Sequence, residues 1–209
     1  MANFAIPVEP VANLGGAVSF PVLHIVEEAT QTAPMGTPCQ INATDGGVQA
    51  WDGTTVSKGI AGFLIENFSN LATTGVGAPQ GLTPVLGPGS TIGSYAANPN
   101  QPLAVITPSL VPINDGMVSF AVAVPGTEFV AALGSSAATA NTAVATANKY
   151  VGQVYGLTKD ANGYWYVDIN VTGGNAVAVI TQLDPRDAVG TVGGRVWFTV
   201  LPSAAQIAA

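Results

Sequence analysis

Short runs of Val, Ile, Thr and aromatic residues recur along the chain, and glycines and prolines separate them. The clearest pair of runs, residues 150–158 and 164–171, flanks a polar turn in which Asn162 and Gly163 favour a left-handed backbone. Apolar and polar residues alternate in both runs, as they do in strands with one buried face. We therefore predict a β-hairpin at this place.

The same pattern predicts further strands before and after the hairpin. Residues 38–66 are predicted to form a meander of three strands, with turns at residues 45–47 and 52–53. The other predicted strands are residues 103–107, 117–124, 176–183 and 195–201. The run at 117–124 is too apolar to be solvated on both faces, so it belongs in a core. The fold class expected is mainly β, a short-stranded β-sandwich or barrel with long Gly- and Pro-rich loops.

Two segments without alternation are predicted to contact other molecules. Residues 1–15 contain apolar side chains between prolines and suit an extended N-terminal arm that grips a neighbour. Residues 69–102 contain many glycines and prolines but no charged residue, which favours a long loop buried against another subunit. The contact candidates are Phe4, Ile6 and Val8 in the arm, and Leu82, Val85, Leu86 and Tyr95 in the loop.

These segments suggest a division of the chain. The arm, residues 1–15, precedes a β domain at residues 16–134 that contains the neutral loop. Residues 135–148 are rich in Ala and Thr and are predicted as a linker or a short helix. Residues 149–209 are predicted as a C-terminal hairpin region that packs on the first lobe or on a neighbouring subunit.

The composition indicates a protein that covers part of its surface with partners. Charged residues make up 8% of the 209 residues, against about 25% in ordinary globular proteins, while 48% are hydrophobic. Such a chain leaves too much apolar surface for a monomer, so we expect a homo-oligomer and favour a trimer. The net charge of −7 repels phosphate backbones, so nucleic acid is not an expected partner.

The chain offers no targeting or membrane signal. Its first residues lack the basic segment of a signal peptide, and the long uncharged stretches contain prolines or small polar residues. A single cysteine forms no internal disulfide, which suits synthesis in a reducing cytoplasm. We expect neither secretion nor a membrane partner.

Catalytic and metal-binding sets are sparse. The one histidine, His24, lies in an apolar and extended context, and Cys39 has no second orienting group, so structural roles are expected for both. One Cys and one His are too few for a structural zinc site. A calcium site formed by Asp160, Asn162 and Asp168 is the weaker alternative to an ordinary turn. No cofactor and no metal are expected.

Paired carboxylates raise the alternative of acid–base catalysis. Glu27 and Glu28 are adjacent, so on a strand they point to opposite faces. Asp184 and Asp187 flank Arg186, which would lower the pKa of a neighbouring carboxyl group. A turn with local charge pairing explains this second set better than a glycosidase-like pair, and we expect no enzyme activity.

Aromatic residues are the remaining candidates. Trp51, Tyr164, Trp165 and Tyr166 are suited either to a platform that stacks on sugars or to contacts between two lobes. On the predicted hairpin, Tyr164 and Tyr166 share one face and Trp165 lies on the other. At least one of these faces is therefore expected to pack against a second layer or a subunit.

Two parts of the sequence resemble proteins of bacteriophage particles. Residues 34–67, PMGTPCQINATDGGVQAWDGTTVSKGIAGFLIEN, resemble the small β modules of tailed-bacteriophage head decoration proteins, in which a G-x-P-x apolar strand, a Gly turn and an I-A-G strand recur. VGQVYGLTKDANGYWYVDI and LDPRDAVGTVGGRVWFTVL, residues 151–169 and 183–201, are similar to segments of phage virion structural proteins. Together they cover about half of the chain, and the segment 67–114 aligns with nothing.

The resemblance implies a function without catalysis. Decoration, or cement, proteins dock on the outside of the major capsid protein lattice, often as oligomers, and brace it against internal pressure. The implied location is the outer surface of the virion, after synthesis in the bacterial host cytoplasm. The alternative is a receptor- or glycan-binding module of a phage fibre or tail.

Overall fold

The computed structural model describes residues 7–13, 20–28, 31, 33–44, 46–53, 59–68, 117–136 and 141–207. In these parts the chain forms strands and two single turns of 3-10 helix, and no α-helix. The strands are β1 (Glu9–Asn13), β2 (Val22–Val26), β3 (Pro38–Ile41), β4 (Val48–Ala50), β5 (Gly62–Leu64), β6 (Met117–Val122), β7 (Thr127–Ser136), β8 (Asn141–Ala143), β9 (Val154–Lys159), β10 (Trp165–Asp168), β11 (Ala178–Leu183) and β12 (Arg195–Val200). The prediction of a mainly β protein of the sandwich or barrel class is confirmed.

The first sheet contains β2 to β6 in the order β2-β6-β5-β3-β4, and every pair in it is antiparallel. Its two edges meet at one place, because Glu27 bridges to Val48 and the Glu28 N–H donates to the Val48 carbonyl at 2.8 Å. The predicted meander is wrong in one respect, since β5 pairs with β3 instead of β4. Thus β3 lies between β5 and β4, and its Pro38, Cys39 and Gln40 are buried.

The second sheet contains seven strands, and five of them form a closed barrel. The barrel strands follow the order β7-β10-β9-β11-β12, and β12 pairs with β7 to complete the ring. The β7–β10 pair is parallel and the other four pairs are antiparallel. The ten residues of β7 allow closure, because its first half pairs with β1 and β12 and its second half with β10 and β8.

The hairpin predicted most clearly is present as β9 and β10, with Trp165 opposite Lys159. The Asp160 carboxylate accepts hydrogen bonds from the backbone N–H groups of Asn162 and Tyr164, both at 2.9 Å. Gly163 has a φ of +89°, the left-handed conformation that glycine adopts without strain. The strands predicted at 117–124, 176–183 and 195–201 are also present, as β6, β11 and β12.

The segment 135–148 differs from the linker or short helix that we predicted. Ser135 and Ser136 end β7, and Asn141–Ala143 forms β8 antiparallel to it. Pairing with a neighbouring strand overrides the weak helical preference of an Ala- and Thr-rich run. Because β7 belongs to the barrel, the chain leaves the first sheet at residues 123–126.

One hydrophobic core joins the two sheets. The Phe63 ring, from β5, lies 4.4 Å from that of Phe129 and 5.7 Å from that of Phe198, which belong to the barrel. Trp51 and Trp165 make a second contact between the sheets. The two sheets therefore share buried apolar surface instead of meeting across a solvated boundary.

Candidate functional site

The predicted contact residues are described only in part. Val8 is 1% exposed and belongs to the shared core, and β1 pairs with β7 directly after it. This part of the predicted arm therefore contacts its own chain. The other candidates, Phe4, Ile6, Leu82, Val85, Leu86 and Tyr95, lie outside the described residues and remain predictions.

The predicted aromatic set is largely internal. Trp51 and Trp165 are each 4% exposed, and their ring centroids lie 5.7 Å apart with the planes inclined by 39°. Tyr166 is fully buried beside Ala132, with the partly buried Tyr164 against the same cluster, and burial raises the pKa of Tyr166. Both faces of the hairpin are thus packed. In this arrangement the two indole rings hold the sheets together and present no open face to a sugar.

The charged cluster around the β11–β12 loop consists of two Arg–carboxylate pairs. Arg186 donates from Nε and Nη2 to the carboxylate of Asp184, at 2.9 and 2.5 Å. Arg195 donates from Nε and Nη2 to Asp187, at 2.9 and 2.7 Å. The Asp184–Arg186 pair agrees with the local charge pairing expected at this turn, whereas the role of Arg195, the first residue of β12, was not predicted. The sequence could have suggested Arg195 as the partner of Asp187, because it is the next basic residue after Arg186.

These pairs keep both carboxylates ionised. Hydrogen bonding from Arg186 holds the pKa of Asp184 below its ordinary value. Hydrogen bonding from Arg195 lowers the pKa of Asp187 from 3.8 to about 2. A general acid near neutral pH needs a raised pKa, which is the opposite of this arrangement. The cluster is suited to fastening the base of the loop.

The tip of this loop is fixed by hydrogen bonds to the segment that follows β8. The Gly190 N–H donates to the Thr146 carbonyl at 2.8 Å, and the Thr146 N–H donates to the Thr191 carbonyl at 3.0 Å. On either side of these two anchored residues, Val189 is 65% exposed and Val192 is 66% exposed. The loop therefore holds two valine side chains in water on an ordered backbone. We call Val189 and Val192 the loop surface.

A second exposed apolar surface lies at the start of β2. Val22 is 45% exposed and Leu23 is 37% exposed, although successive residues of a strand point to opposite faces. The backbone here is ordered by pairing with β6, where Val22 lies opposite Ala121. We call Val22 and Leu23 the β2 surface. Sequence reasoning treated this run only as the surroundings of His24 and missed its exposure.

His24 follows the β2 surface and is exposed, not surrounded by the apolar context expected from its neighbours. Its Nδ1 lies 2.8 Å from Ser119 Oγ and 4.0 Å from Glu66 Oε1. In a catalytic triad the histidine uses one ring nitrogen for the nucleophile and the other for the carboxylate. Here the same nitrogen faces both groups. Cys39 is buried and donates from Sγ to the Gly62 carbonyl, and burial raises its pKa.

The acidic side chains considered for calcium are engaged within the chain. Asp168 accepts hydrogen bonds from the N–H groups of Ser136 and Asn170 and from the hydroxyl of Thr158. Asp160 caps the hairpin turn. Among the described residues, no group of three or more His, Cys, Asp or Glu side chains is placed to hold a metal ion. No helix in the same residues is long and apolar enough to cross a membrane.

Comparison with known proteins gave no relative. No protein-family model, no curated protein and no solved structure matches this chain significantly. The function must therefore be inferred from the surfaces of the chain itself.

Proposed function

We propose that this chain is a non-enzymatic structural protein of a bacteriophage particle, a decoration or cement protein. It binds the outside of the major capsid protein lattice as a homo-oligomer, with a trimer favoured, and stabilises the head. The observation that carries this proposal is the loop surface, where an ordered backbone keeps Val189 and Val192 about two-thirds exposed. The resemblance of residues 34–67, 151–169 and 183–201 to phage virion proteins supports it.

The physical basis is apolar contact by a rigid body. Burying an exposed valine on binding is favourable by about 1 kcal/mol or more, and little entropy is lost where the backbone is already ordered. Each contact is weak by itself. A closed oligomer on a repeating lattice makes several such contacts at once, which lengthens its residence without one tight site.

The charge of the chain fits the proposed partner and place. With a net charge of −7 and 8% charged residues, the chain is suited to a neutral protein surface and poorly suited to nucleic acid. The outer face of a capsid offers such a surface away from the packaged genome. Synthesis in the bacterial host cytoplasm would precede attachment.

Burial of the aromatic residues favours this proposal over a glycan-binding fibre or tail module. A sugar platform needs open aromatic faces, whereas Trp51 and Trp165 are each 4% exposed and Tyr166 is fully buried. The candidates for the alternative function are thus engaged in the core.

The test measures binding of the purified chain to phage heads that lack it, and it compares the full chain with a truncated one. The structure determines where the truncation ends. Val8 and β1 belong to the barrel, so the deletion removes residues 2–6 and leaves Pro7 onward. We expect the full chain to co-sediment with heads in proportion to capsid subunits, and the truncated chain to lose this attachment with its thermal unfolding unchanged. The double variant Phe4→Ser and Ile6→Ser is the length-matched control and should behave like the truncation.

Two results would count against the account. Attachment retained by the truncated chain would exclude the predicted arm from the attachment and leave the loop surface as the candidate contact. Failure of the full chain to attach to heads, together with binding to a glycan array, would replace the cement function with the fibre or tail alternative.

A further inference from the structure

We infer that the first sheet carries an acceptor site for an extended peptide that contains a glutamine, and that residues 202–207 fill this site from within the same chain. We call residues 202–207 the strap. The strap follows β12 of the barrel and bridges to Ile60, just before β5. A site of this kind binds by adding a strand to a sheet. It is separate from the loop surface and goes beyond the proposed function.

The acceptor site consists of the backbone N–H and C=O groups of Ile41 and Ile60. β3 and β5 pair at Pro38 and Cys39, and the Ala61 N–H donates to the Cys39 carbonyl at 2.8 Å. Alternate residues of a strand direct their backbone groups to the same side, so Ile41 faces the side on which Cys39 meets β5. At Ile41 the strap takes the place of β5.

The strap satisfies all four groups of the site. The Ile60 N–H donates to the Ala204 carbonyl at 2.6 Å, and the Gln206 N–H donates to the Ile60 carbonyl at 2.9 Å. The Gln206 side chain completes the set, because its Oε1 accepts from the Ile41 N–H at 2.7 Å and its Nε2 donates to the Ile41 carbonyl at 2.6 Å. The glutamine amide thus acts as a peptide group would in a neighbouring strand.

These contacts define the class of peptide that the site accepts. Ile41 needs a donor and an acceptor on one side chain, which an amide supplies and an ionised carboxylate does not. Asparagine carries the same amide on a side chain one methylene shorter. Ala204 is 0% exposed, so a small residue is required two positions before the glutamine. Ile207 packs against the apolar cluster that contains Cys39, which favours an aliphatic residue after it.

Gly59 shapes the wall of the site for a close approach of the strap. Its φ is +68°, and a Cβ added there would lie 2.9 Å from the Cα of Gln206. Cβ atoms do not approach another carbon atom so closely without displacing it. A side chain at position 59 would therefore exclude the strap and any peptide that follows the same path.

The strap is suited to release while the rest of the fold stays closed. Its first two residues are exposed, and its last three are only partly buried. Segments with few buried apolar contacts open locally at a lower cost than global unfolding. Because Ile60 is 0% exposed, an open site leaves buried backbone groups without partners, which is unfavourable. The open site therefore favours a peptide that repeats the four hydrogen bonds.

The test uses the full chain and a fluorescent peptide with the sequence of the strap, PSAAQI, blocked at both ends. In the unaltered chain the tethered strap competes at a high effective concentration, so fluorescence anisotropy should show weak binding. Gln206→Ala weakens this competitor and leaves the site intact. The peptide should therefore bind this variant at least about tenfold more tightly. A peptide with alanine in place of its glutamine should bind neither chain.

A second substitution alters the site instead of the strap. Gly59→Ala, added to Gln206→Ala, should abolish the tight binding of the peptide, because the new Cβ blocks its path. Gly46→Ala, added in the same way, is the matched control. Gly46 has a φ of +78° and suffers the same backbone strain, but nothing lies within 4 Å of an added Cβ. This control should leave peptide binding unchanged.

Three binding results would overturn the inference. They are equal affinity of the unaltered chain and Gln206→Ala for the peptide, equal binding of the glutamine and alanine peptides, and tight binding that persists with Gly59→Ala. If thermal unfolding shows that Gln206→Ala does not fold, Gln206→Asn replaces it, because it retains the amide on a shorter side chain.

Hydrogen exchange of the unaltered chain provides a measurement without any substitution. The amides of Ile41 and Ile60 are held by the strap, whereas the Ala123 amide donates to the Ala61 carbonyl within the first sheet. The first two amides should exchange faster than the third, and excess peptide should slow them. Equal protection of all three would mean that the strap does not open by itself, which would also overturn the inference.

Discussion

Asp187 and Arg195 show how this chain uses its few charged residues. Their side chains are 19% and 22% exposed, and two hydrogen bonds join them at the base of the β11–β12 loop. A partly buried pair of this geometry loses more when one partner is removed than an exposed pair does. Removing one partner of the Asp187–Arg195 pair therefore tests directly whether this pair holds the loop surface in place.

Acidification should weaken this pair in a defined range. The pKa of Asp187 is lowered from 3.8 to about 2 in the folded chain. The pair's stabilising contribution is therefore complete at pH values above the ordinary pKa of 3.8, and it is lost as the pH falls through the folded-state pKa of about 2. We expect Asp187→Asn to reduce the free energy of unfolding at pH 7 by about 2 kcal/mol and to flatten its decline between about pH 4 and pH 2. Urea unfolding at several pH values measures both.

The control for this prediction is Glu66→Gln. It also removes one carboxylate, but from an exposed site on the first sheet, and the amide oxygen can still accept the hydrogen bond from the Ser119 N–H. Its unfolding curves should retain the decline. Curves for Asp187→Asn that run parallel to those of the unaltered chain would refute the role assigned to the pair.

Gly62 is the tightest glycine position in the first sheet. A Cβ added there would lie 2.1 Å from the Ala121 carbonyl oxygen and 2.5 Å from Phe120 Cδ2. We expect Gly62→Ala to lower the free energy of unfolding by about 3 kcal/mol, because backbone must move. Gly174→Ala, where nothing lies within 4 Å, should change it by less than about 0.5 kcal/mol. Equal effects of the two changes in thermal unfolding would contradict the packing described for β5.

Among the strands and loops, those determined by nearby residues were easier to predict from the sequence than those determined by distant contacts. The β9–β10 hairpin was predicted because Asn162 and Gly163 form its turn within a few residues. The strand at residues 141–143 was missed because its short Ala- and Thr-containing run shows no apolar–polar alternation, although it pairs with the adjacent end of β7. The pairing of β5 with β3 depends on a partner more than twenty residues away, which alternation alone does not identify. The loop surface was missed for the same reason, since its order comes from Thr146, more than forty residues earlier.

The contact between Trp51 and Trp165 links the two sheets in addition to the contacts of Phe63. Trp51 follows β4 and Trp165 begins β10, so their 5.7 Å contact couples the β3–β4 pair to the β9–β10 hairpin. A double-mutant cycle with Trp51→Leu and Trp165→Leu should give a coupling of about 1 kcal/mol. A parallel cycle of Trp51→Leu with Val154→Ala, on the partly exposed start of β9, should be additive. Additivity in the first cycle would remove the aromatic link.

At the scale of the molecule, the shared core predicts cooperative unfolding. Phe63 from the first sheet packs on Phe129 and Phe198 of the barrel, so neither sheet can open without exposing apolar surface of the other. Differential scanning calorimetry should give one transition, with equal calorimetric and van't Hoff enthalpies per cooperative unit. Two separated transitions would mean that the sheets fold as independent units.

The number of copies of this chain in a virion decides whether it covers a capsid lattice as proposed. Quantitative mass spectrometry of purified virions from the source compares copies of this chain with copies of the major capsid protein. We expect a ratio on the order of one per capsid subunit, or one per few, because a lattice-bound oligomer repeats with the lattice. A handful of copies per particle, or none, would contradict it.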